Sequence, residues 1–156
     1  MNIIDRLIKS YFLILQFLQH WFLLALRLYF GYRFILTGWG KLENFDRTVG
    51  FFTKLGLPFP EINVVLAGGT ELVGGALILI GLFTRLASFP LCFTMIVAYL
   101  TAHSTAFFGF FQKPNEFFTQ APFPFLFACL VLMFFGAGKI SLDYLLKDRK
   151  VARLLN

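Results

Sequence analysis

The stretch RLYFGYRFILTGWGKL, from Arg27 to Leu42, combines the apolar run of a membrane helix with two internal arginines. A charged side chain at bilayer depth costs about 2.5–3.5 kcal/mol on insertion scales. Such charges normally face the interior of a helix bundle, where they find partners. The stretch therefore predicts a membrane helix whose charged side chains find partners within a helix bundle.

The composition of the whole chain points to lipid as the solvent for much of its surface. Hydrophobic residues make up 58% of the 156 residues, charged residues only 14%, and 23 residues are phenylalanine. Soluble domains average about 45–50% apolar and about 25% charged residues. A soluble chain of this length cannot bury so much apolar surface, so we expect one integral membrane domain covering residues 1–156.

The hydropathy pattern divides the chain into an amphipathic start and four candidate spans. The spans cover residues 21–40, 62–83, 86–103 and 121–137, each near the roughly 17–25 residues that a tilted membrane helix needs. Residues 2–20 place their polar side chains on one narrow stripe, which is typical of a helix lying in the membrane interface. The predicted fold is an all-α four-helix membrane bundle with an N-terminal interfacial amphipathic helix.

The distribution of lysine and arginine predicts the orientation. With both termini inside, eight of these residues lie on the cytoplasmic side and four outside, in agreement with the positive-inside rule. The basic tail, residues 139–156, would meet anionic lipid headgroups. Because the positive charges fall at helix ends and in this tail, the net charge of +6 does not predict a nucleic-acid partner.

Two arginines and one glutamate lie inside the first two spans. At 1.5 Å per residue, Arg33 and Glu71 lie at similar depths, about 20 and 18 Å from the cytoplasmic edge, with Arg27 at about 10 Å. The two arginines are 120° apart around the helix and cannot both face one neighbour squarely. We therefore expect one arginine to pair with Glu71, while the other turns to a second helix, snorkels or lines a cavity.

Small residues surround these charges and predict where the helices pack most closely. Arg27, Gly31 and Gly38 share one stripe of span one. The same face of span two carries Glu71 among alanine and glycine residues: Ala67, Gly68, Gly74 and Gly75. Because small residues let helix backbones approach closely, the tightest contact is expected between spans one and two. The ion pair there could either fix the helix register or belong to a functional polar pocket.

Tyr99 and His103 lie one helical turn apart at the outer end of span three. They suit the headgroup boundary, or they lie at the mouth of a pocket with Glu71 and Arg33 deeper inside. The candidate polar pocket therefore comprises Arg27, Arg33, Glu71, Tyr99 and His103. Lys41 is expected to snorkel at the outer boundary. The phenylalanine-rich residues 104–120 are predicted to lie against the membrane surface or to cap the bundle.

Familiar motifs of soluble enzymes and metal sites are absent from the sequence. The two histidines are far apart, so no metal or haem site is predicted and no cofactor site is visible. Cys92 and Cys129 lie in apolar runs and are best interpreted as small buried hydrophobic residues. A disulfide or redox pair would require two helices to align them.

Several segments together resemble the DoxX family of small four-helix bacterial membrane proteins. Arg27, Gly31, Gly38 and Lys41-Leu42 match its first-helix signature, and the run from Glu71 to Arg85 matches its second. Residues 121–127 and the closing segment from Gly136 to Asp143 also fit, with Ala137 where proline is usual. Arg33 occupies a position that is often apolar in the family. The resemblance implies a multi-pass protein of the bacterial inner (plasma) membrane.

The family resemblance also implies a quinone-linked membrane redox role, as a membrane subunit of an oxidoreductase complex with a bound quinone. Partners would be the lipid bilayer and either a protein subunit or further copies of the chain. A non-enzymatic membrane scaffold or assembly factor is an alternative, and a small transporter is another. The sequence leaves open whether the chain itself is an enzyme.

Overall fold

The computed structural model describes residues 3–147 of the chain. These residues form helices and turns without a β-strand, which confirms the predicted all-α membrane fold. Residues 142–147 are helical too. Residues 1–2 and 148–156 lie outside the described part, and with them half of the predicted basic tail, residues 139–156. The helices are, in chain order, α1 (Ile3–Glu43), α2 (Phe45–Lys54), α3 (Pro60–Ile80), α4 (Thr84–Ala102), α5 (Ser104–Phe108), α6 (Pro114–Phe118) and α7 (Pro122–Phe135).

The first helix, α1, is one continuous element of 41 residues, about 61 Å long. The predicted boundary between an interfacial helix and span one, at residue 20, is therefore wrong. No glycine or proline occurs between residues 2 and 30, so nothing in this stretch interrupts the backbone hydrogen bonds. Residues 3–19 are exposed. Their location on the membrane surface stays a prediction.

Within the described residues, three helices are long and apolar enough to cross a membrane: α1, α3 and α4. The fourth predicted span appears as α7, an apolar helix of 14 residues. At about 21 Å it is shorter than the roughly 30 Å of a bilayer's hydrocarbon core, so a fourth full span stays a prediction.

Glycines fix the contact between α1 and α3, as the sequence predicted. A Cβ placed on Gly38 would lie 2.5 Å from the backbone nitrogen of Leu72 and 2.6 Å from the carbonyl oxygen of Gly68. Two turns away, a Cβ on Gly31 would lie 2.8 Å from the backbone nitrogen of Leu79. No side chain larger than hydrogen fits at these positions. The two backbones therefore touch, with α3 antiparallel to α1.

The other side of α3 packs on α4, and α4 packs on α7. The buried core between the helices is apolar; its members include Leu23, Phe34, Ile78, Leu91, Cys92, Met95, Cys129 and Leu132. The two ends of the bundle differ. One, here called the turn end, carries the α3–α4 turn and the residues after α7. The other, here called the cavity end, carries α2, α5 and α6.

The turn end is held by a carboxylate from the residues after α7. Gly81 and Phe83 adopt left-handed backbone angles, with φ of 73° and 48°, and reverse the chain between α3 and α4. Asp143 accepts hydrogen bonds from the backbone N–H groups of Phe83 (2.7 Å) and Thr84 (3.0 Å). The carboxylate satisfies amide groups that begin α4 and lack helical partners.

Candidate functional site

An ion pair between Lys41 and Glu71 lies near the cavity end of the bundle. Lys41 belongs to the last turn of α1, and its ammonium group donates a hydrogen bond to Oε2 of Glu71 in the middle of α3. The Glu71 side chain is 2% exposed, whereas Lys41 is 27% exposed. A buried carboxylate is tolerated because a cation and a hydrogen bond compensate its lost hydration.

The prediction that an arginine pairs with Glu71 is therefore wrong. It assumed that the start of span one and the end of span two lie level at the cytoplasmic edge. In the structure the glycine contact sets the register, and it places Glu71 beside Gly38 rather than beside Arg33. Lys41 is one turn beyond Gly38 and reaches the carboxylate. Arg33 is exposed on the outer face of α1.

Arg27 lies at the turn end, far along α1 from Glu71, and is 2% exposed. Its Nε donates to the carbonyl of Ile78 at 3.0 Å, and its Nη2 donates to that of Leu79 at 3.3 Å. Its Nη1 donates to the carbonyls of Ala137 (2.6 Å) and Ile140 (2.7 Å). The guanidinium thus satisfies the last carbonyls of α3 and joins α1, α3 and the segment after α7, which is a structural role.

A partly enclosed cavity of about 290 Å³ adjoins the Lys41–Glu71 pair. Its walls are predominantly apolar and come from α1, α2, α3, α4 and the start of α7. The apolar side chains include Phe51, Phe52, Leu55, Ala67, Met95, Ala98, Pro122 and Phe125. The pair is therefore a charged patch on the wall of an otherwise apolar cavity.

Most of the other polar groups at the cavity are already engaged within their own helices. The hydroxyls of Thr37, Thr94 and Thr101 each donate to a backbone carbonyl three or four residues earlier, at 2.8–3.1 Å. By contrast, a lysine ammonium has three N–H donors, and Glu71 takes one of them. Lys41, Glu71 and the half-buried His103 are the groups suited to meet a ligand.

Tyr99 is fully buried and supports one end of the site instead of lining the cavity. Its hydroxyl donates to the carbonyl of Phe117 at 2.8 Å, and its ring stacks on Phe117 with the centroids 4.5 Å apart. His103 contacts the same tyrosine ring edge-on. Phe107 and Phe110 pack on Phe117. The phenylalanine-rich segment thus forms an aromatic cover over α4, in agreement with the predicted cap.

Of the five predicted site residues, the structure brings Glu71 and His103 to one cavity and leaves the others apart. Arg27 is at the opposite end, Arg33 points away from the bundle, and Tyr99 lies behind His103. The residue that sequence reasoning missed is Lys41. The sequence did indicate its position. Lys41 follows Arg27 by fourteen residues, so the two side chains lie within 40° of each other around the helix.

Metal binding has no visible basis in the part of the chain that the structure describes. Residues 3–147 contain no group of three or more His, Cys, Asp or Glu side chains arranged to hold a metal ion. Another ion pair, Lys113 with Glu116 at 3.0 Å, is exposed. The Lys41–Glu71 pair is therefore the charged centre of the candidate site.

Comparisons with known proteins agree with this picture of a membrane bundle. Residues 22–104 match the family model of DoxX. Inner membrane protein YphA of Escherichia coli is 33% identical over 111 residues, which cover 70% of this chain and 79% of that protein. An uncharacterized protein of Haemophilus influenzae is 36% identical over 79% of this chain and 89% of its own length.

A third relative carries a name that suggests an activity. The Bacillus subtilis protein named "Putative oxidoreductase CatD" is 36% identical over 50% of this chain and 57% of its own length. No solved structure matches the chain. The family model covers the helices that build the glycine contact, the Lys41–Glu71 pair and His103. The chain belongs to the DoxX family.

Proposed function

We propose that this protein is the membrane subunit of a quinone-linked oxidoreductase complex of the bacterial inner membrane, and that its cavity binds the quinone headgroup. The observation that carries the proposal is the Lys41–Glu71 pair on the wall of an apolar cavity that His103 also lines. Both termini would face the cytoplasm. Its partner would be a redox subunit that delivers electrons to the quinone.

The size and lining of the cavity fit a quinone ring. Small-molecule sites are concave and mostly apolar, with a few polar groups that fix orientation, and span roughly 300–1,000 Å³. A volume of about 290 Å³ is close to the lower limit of this range and suits a headgroup whose isoprenoid tail stays in lipid. The aromatic and aliphatic walls would take the ring faces and exclude water.

The polar residues supply what the two carbonyls of a quinone need. Lys41 retains N–H donors that can point at a carbonyl oxygen. Glu71, held in place by Lys41, can accept or return a proton at that oxygen. His103 can donate to the second carbonyl through a ring N–H group. Tyr99 would keep the His103 ring in position through their edge-on contact.

The family context supports a redox role without naming this chain's substrate. One relative is named as an oxidoreductase, while others are named only as inner membrane or uncharacterized proteins. The resemblance to a family associated with quinone-linked redox complexes points the same way. The apolar cavity beside the Lys41–Glu71 pair supports the same proposal.

Binding of a short-chain ubiquinone analogue to the purified protein in detergent tests the proposal. We expect saturable binding to wild type, and at least tenfold weaker binding to Glu71→Gln and Lys41→Met. Ala98→Phe should weaken binding similarly, because Ala98 lines the cavity and a phenyl ring would fill it without touching the ion pair. The matched control is Arg33→Gln, which removes a charge from the exposed face of α1.

Thermal unfolding of each variant separates loss of binding from loss of fold. Ala98→Phe is decisive if it keeps the unfolding temperature of wild type. Equal, non-saturable partition of the quinone into wild type, Glu71→Gln and Ala98→Phe would refute the proposal.

A further inference from the structure

Two cysteines that are far apart in sequence face each other in the bundle core. Cys92 lies on α4 and Cys129 on α7, two helices that pack directly together. Both are free thiols, 6% and 0% exposed. Both side chains belong to the same buried core cluster, and the two thiols are close enough to influence each other. The alignment of two helices that a redox pair requires is therefore present.

The thiol pair lies in the layer of the bundle next to the cavity. Met95 and Phe125 line the cavity, and they are one helical turn from Cys92 and Cys129, respectively. Glu71, which also lines the cavity, is close enough to interact electrostatically with Cys129. Cys92, Met95 and Cys129 belong to one buried core cluster, and Phe125 packs against it. Two residues that line the cavity, Met95 and Phe125, therefore also pack in the layer that holds the two sulfurs.

We propose that Cys92 and Cys129 form a redox-active dithiol, which a quinone bound in the adjacent cavity oxidises to a disulfide. The inference rests on the proposed quinone site and adds an electron donor within this chain. In the reaction both S–H bonds break and one S–S bond forms. The two electrons and two protons reduce the quinone to the hydroquinone.

Because both cysteines are buried, they can discriminate between oxidants in a way that surface thiols cannot. Thiol–disulfide exchange requires access of a second thiol to sulfur, and soluble thiols cannot reach residues that are 6% and 0% exposed. A lipid-soluble oxidant in the neighbouring cavity has the shorter path. Glu71 can take up the proton released when one thiol becomes the attacking thiolate. Met95, an unbranched side chain, can move aside for the ring.

The test uses reduced, purified full-length protein and duroquinone, whose ring is fully substituted and resists direct addition of thiols. After incubation the protein is denatured, remaining thiols are alkylated, and intact mass and peptide mass spectrometry count them. We expect loss of the mass of two hydrogen atoms, a Cys92–Cys129 cross-linked peptide, and one hydroquinone per protein. Cys92→Ser and Cys129→Ser should each leave the other thiol available for alkylation.

Quinone binding, measured on the same samples, separates this inference from the proposed function. Saturable quinone binding, with both thiols still available for alkylation afterwards, would overturn the redox role of the dithiol. It would leave the proposed quinone site intact. If the quinone neither binds nor oxidises the thiols, both the redox-active dithiol and the proposed quinone site are overturned. Disulfide formation that is equally fast in Ala98→Phe, whose cavity is filled, would also overturn the inference, because the oxidant would then act from outside the cavity. Oxidation that is slowed at least tenfold in Ala98→Phe supports it.

Discussion

Arg27 illustrates how much a single buried side chain can stabilise in a small membrane bundle. Four backbone carbonyls accept its hydrogen bonds, and hydrogen bonds to charged groups are worth about 1.5–3 kcal/mol each. We expect Arg27→Leu to lower the free energy of unfolding by about 3–5 kcal/mol, because these carbonyls would be left buried without donors. Reversible unfolding in mixed detergent micelles, followed by circular dichroism, measures the loss.

Arg33 offers the matched comparison on the same helix. It is exposed, and its removal leaves none of the carbonyls that Arg27 binds without a donor. Arg33→Leu should therefore change the free energy of unfolding by less than about 0.5 kcal/mol. If Arg33→Leu destabilised the protein as much as Arg27→Leu does, the distinction between an anchoring and an outward-facing arginine would be mistaken.

The charged residues also show what the sequence could and could not predict at this scale. It singled out Arg27, Glu71 and His103 as special, because charges and their small neighbours stand out in an apolar helix. It could not assign the partner of Glu71. That choice depends on an axial offset between two helices, and a shift of only one turn replaces one candidate partner with another.

Contact between the α1 and α3 backbones sets this offset, and Gly38 is its most constrained point. A Cβ there would meet backbone atoms of α3 at 2.5–2.6 Å, a contact that only helix displacement can relieve. We expect Gly38→Ala to lower the free energy of unfolding by about 1–3 kcal/mol. It should also weaken the Lys41–Glu71 pair and reduce quinone binding if the proposed site is correct. Unfolding and binding assays on one preparation measure both effects.

Gly40 provides the control, two residues further along the same helix. A Cβ at Gly40 would meet nothing within 4 Å, so Gly40→Ala should be neutral or stabilise by up to about 1 kcal/mol through helix propensity. Equal destabilisation by the two substitutions would mean that glycine matters for flexibility at this end of α1. The close approach of the two helices would then not be the cause.

At the element scale, apolar runs and small-residue stripes were enough to predict α3, α4 and the α1–α3 contact. They failed at the start of span one. The amphipathic stripe of residues 2–20 describes which face of a helix is polar, but it carries no stop signal. Without a glycine, proline or capping residue near residue 20, local hydrogen bonding continues through the predicted boundary.

For the molecule as a whole, the candidate site is harder to predict than the fold because it is assembled from five helices. The cavity is lined by residues of α1, α2, α3, α4 and α7. The proposed thiol pair adds Cys92 and Cys129. Hydrophobic patterns reveal each helix separately. The neighbours across a cavity depend on packing between elements, which one sequence does not display as a pattern.

The length of α1 divides the molecule into a bundle and an extension, and this division can be tested. Residues 3–19 are exposed throughout, and the core begins at Leu23 and Arg27. A protein that begins at Leu18 should therefore keep the unfolding temperature of the full chain within about 2 °C, which corresponds to at most about 1 kcal/mol for a chain of this size. Scanning calorimetry in detergent measures this temperature.

The same truncation removes most of the segment that is predicted to lie in the membrane interface, and that segment should bind lipid on its own. A synthetic peptide of residues 2–20 supplies the direct measurement, by its partition into anionic vesicles and the gain of helical circular dichroism. The cavity should be unaffected, since its lining begins at Thr37. A truncated protein that unfolds many degrees lower, or loses quinone binding, would show that the extension folds back on the bundle, contrary to the exposed position of residues 3–19.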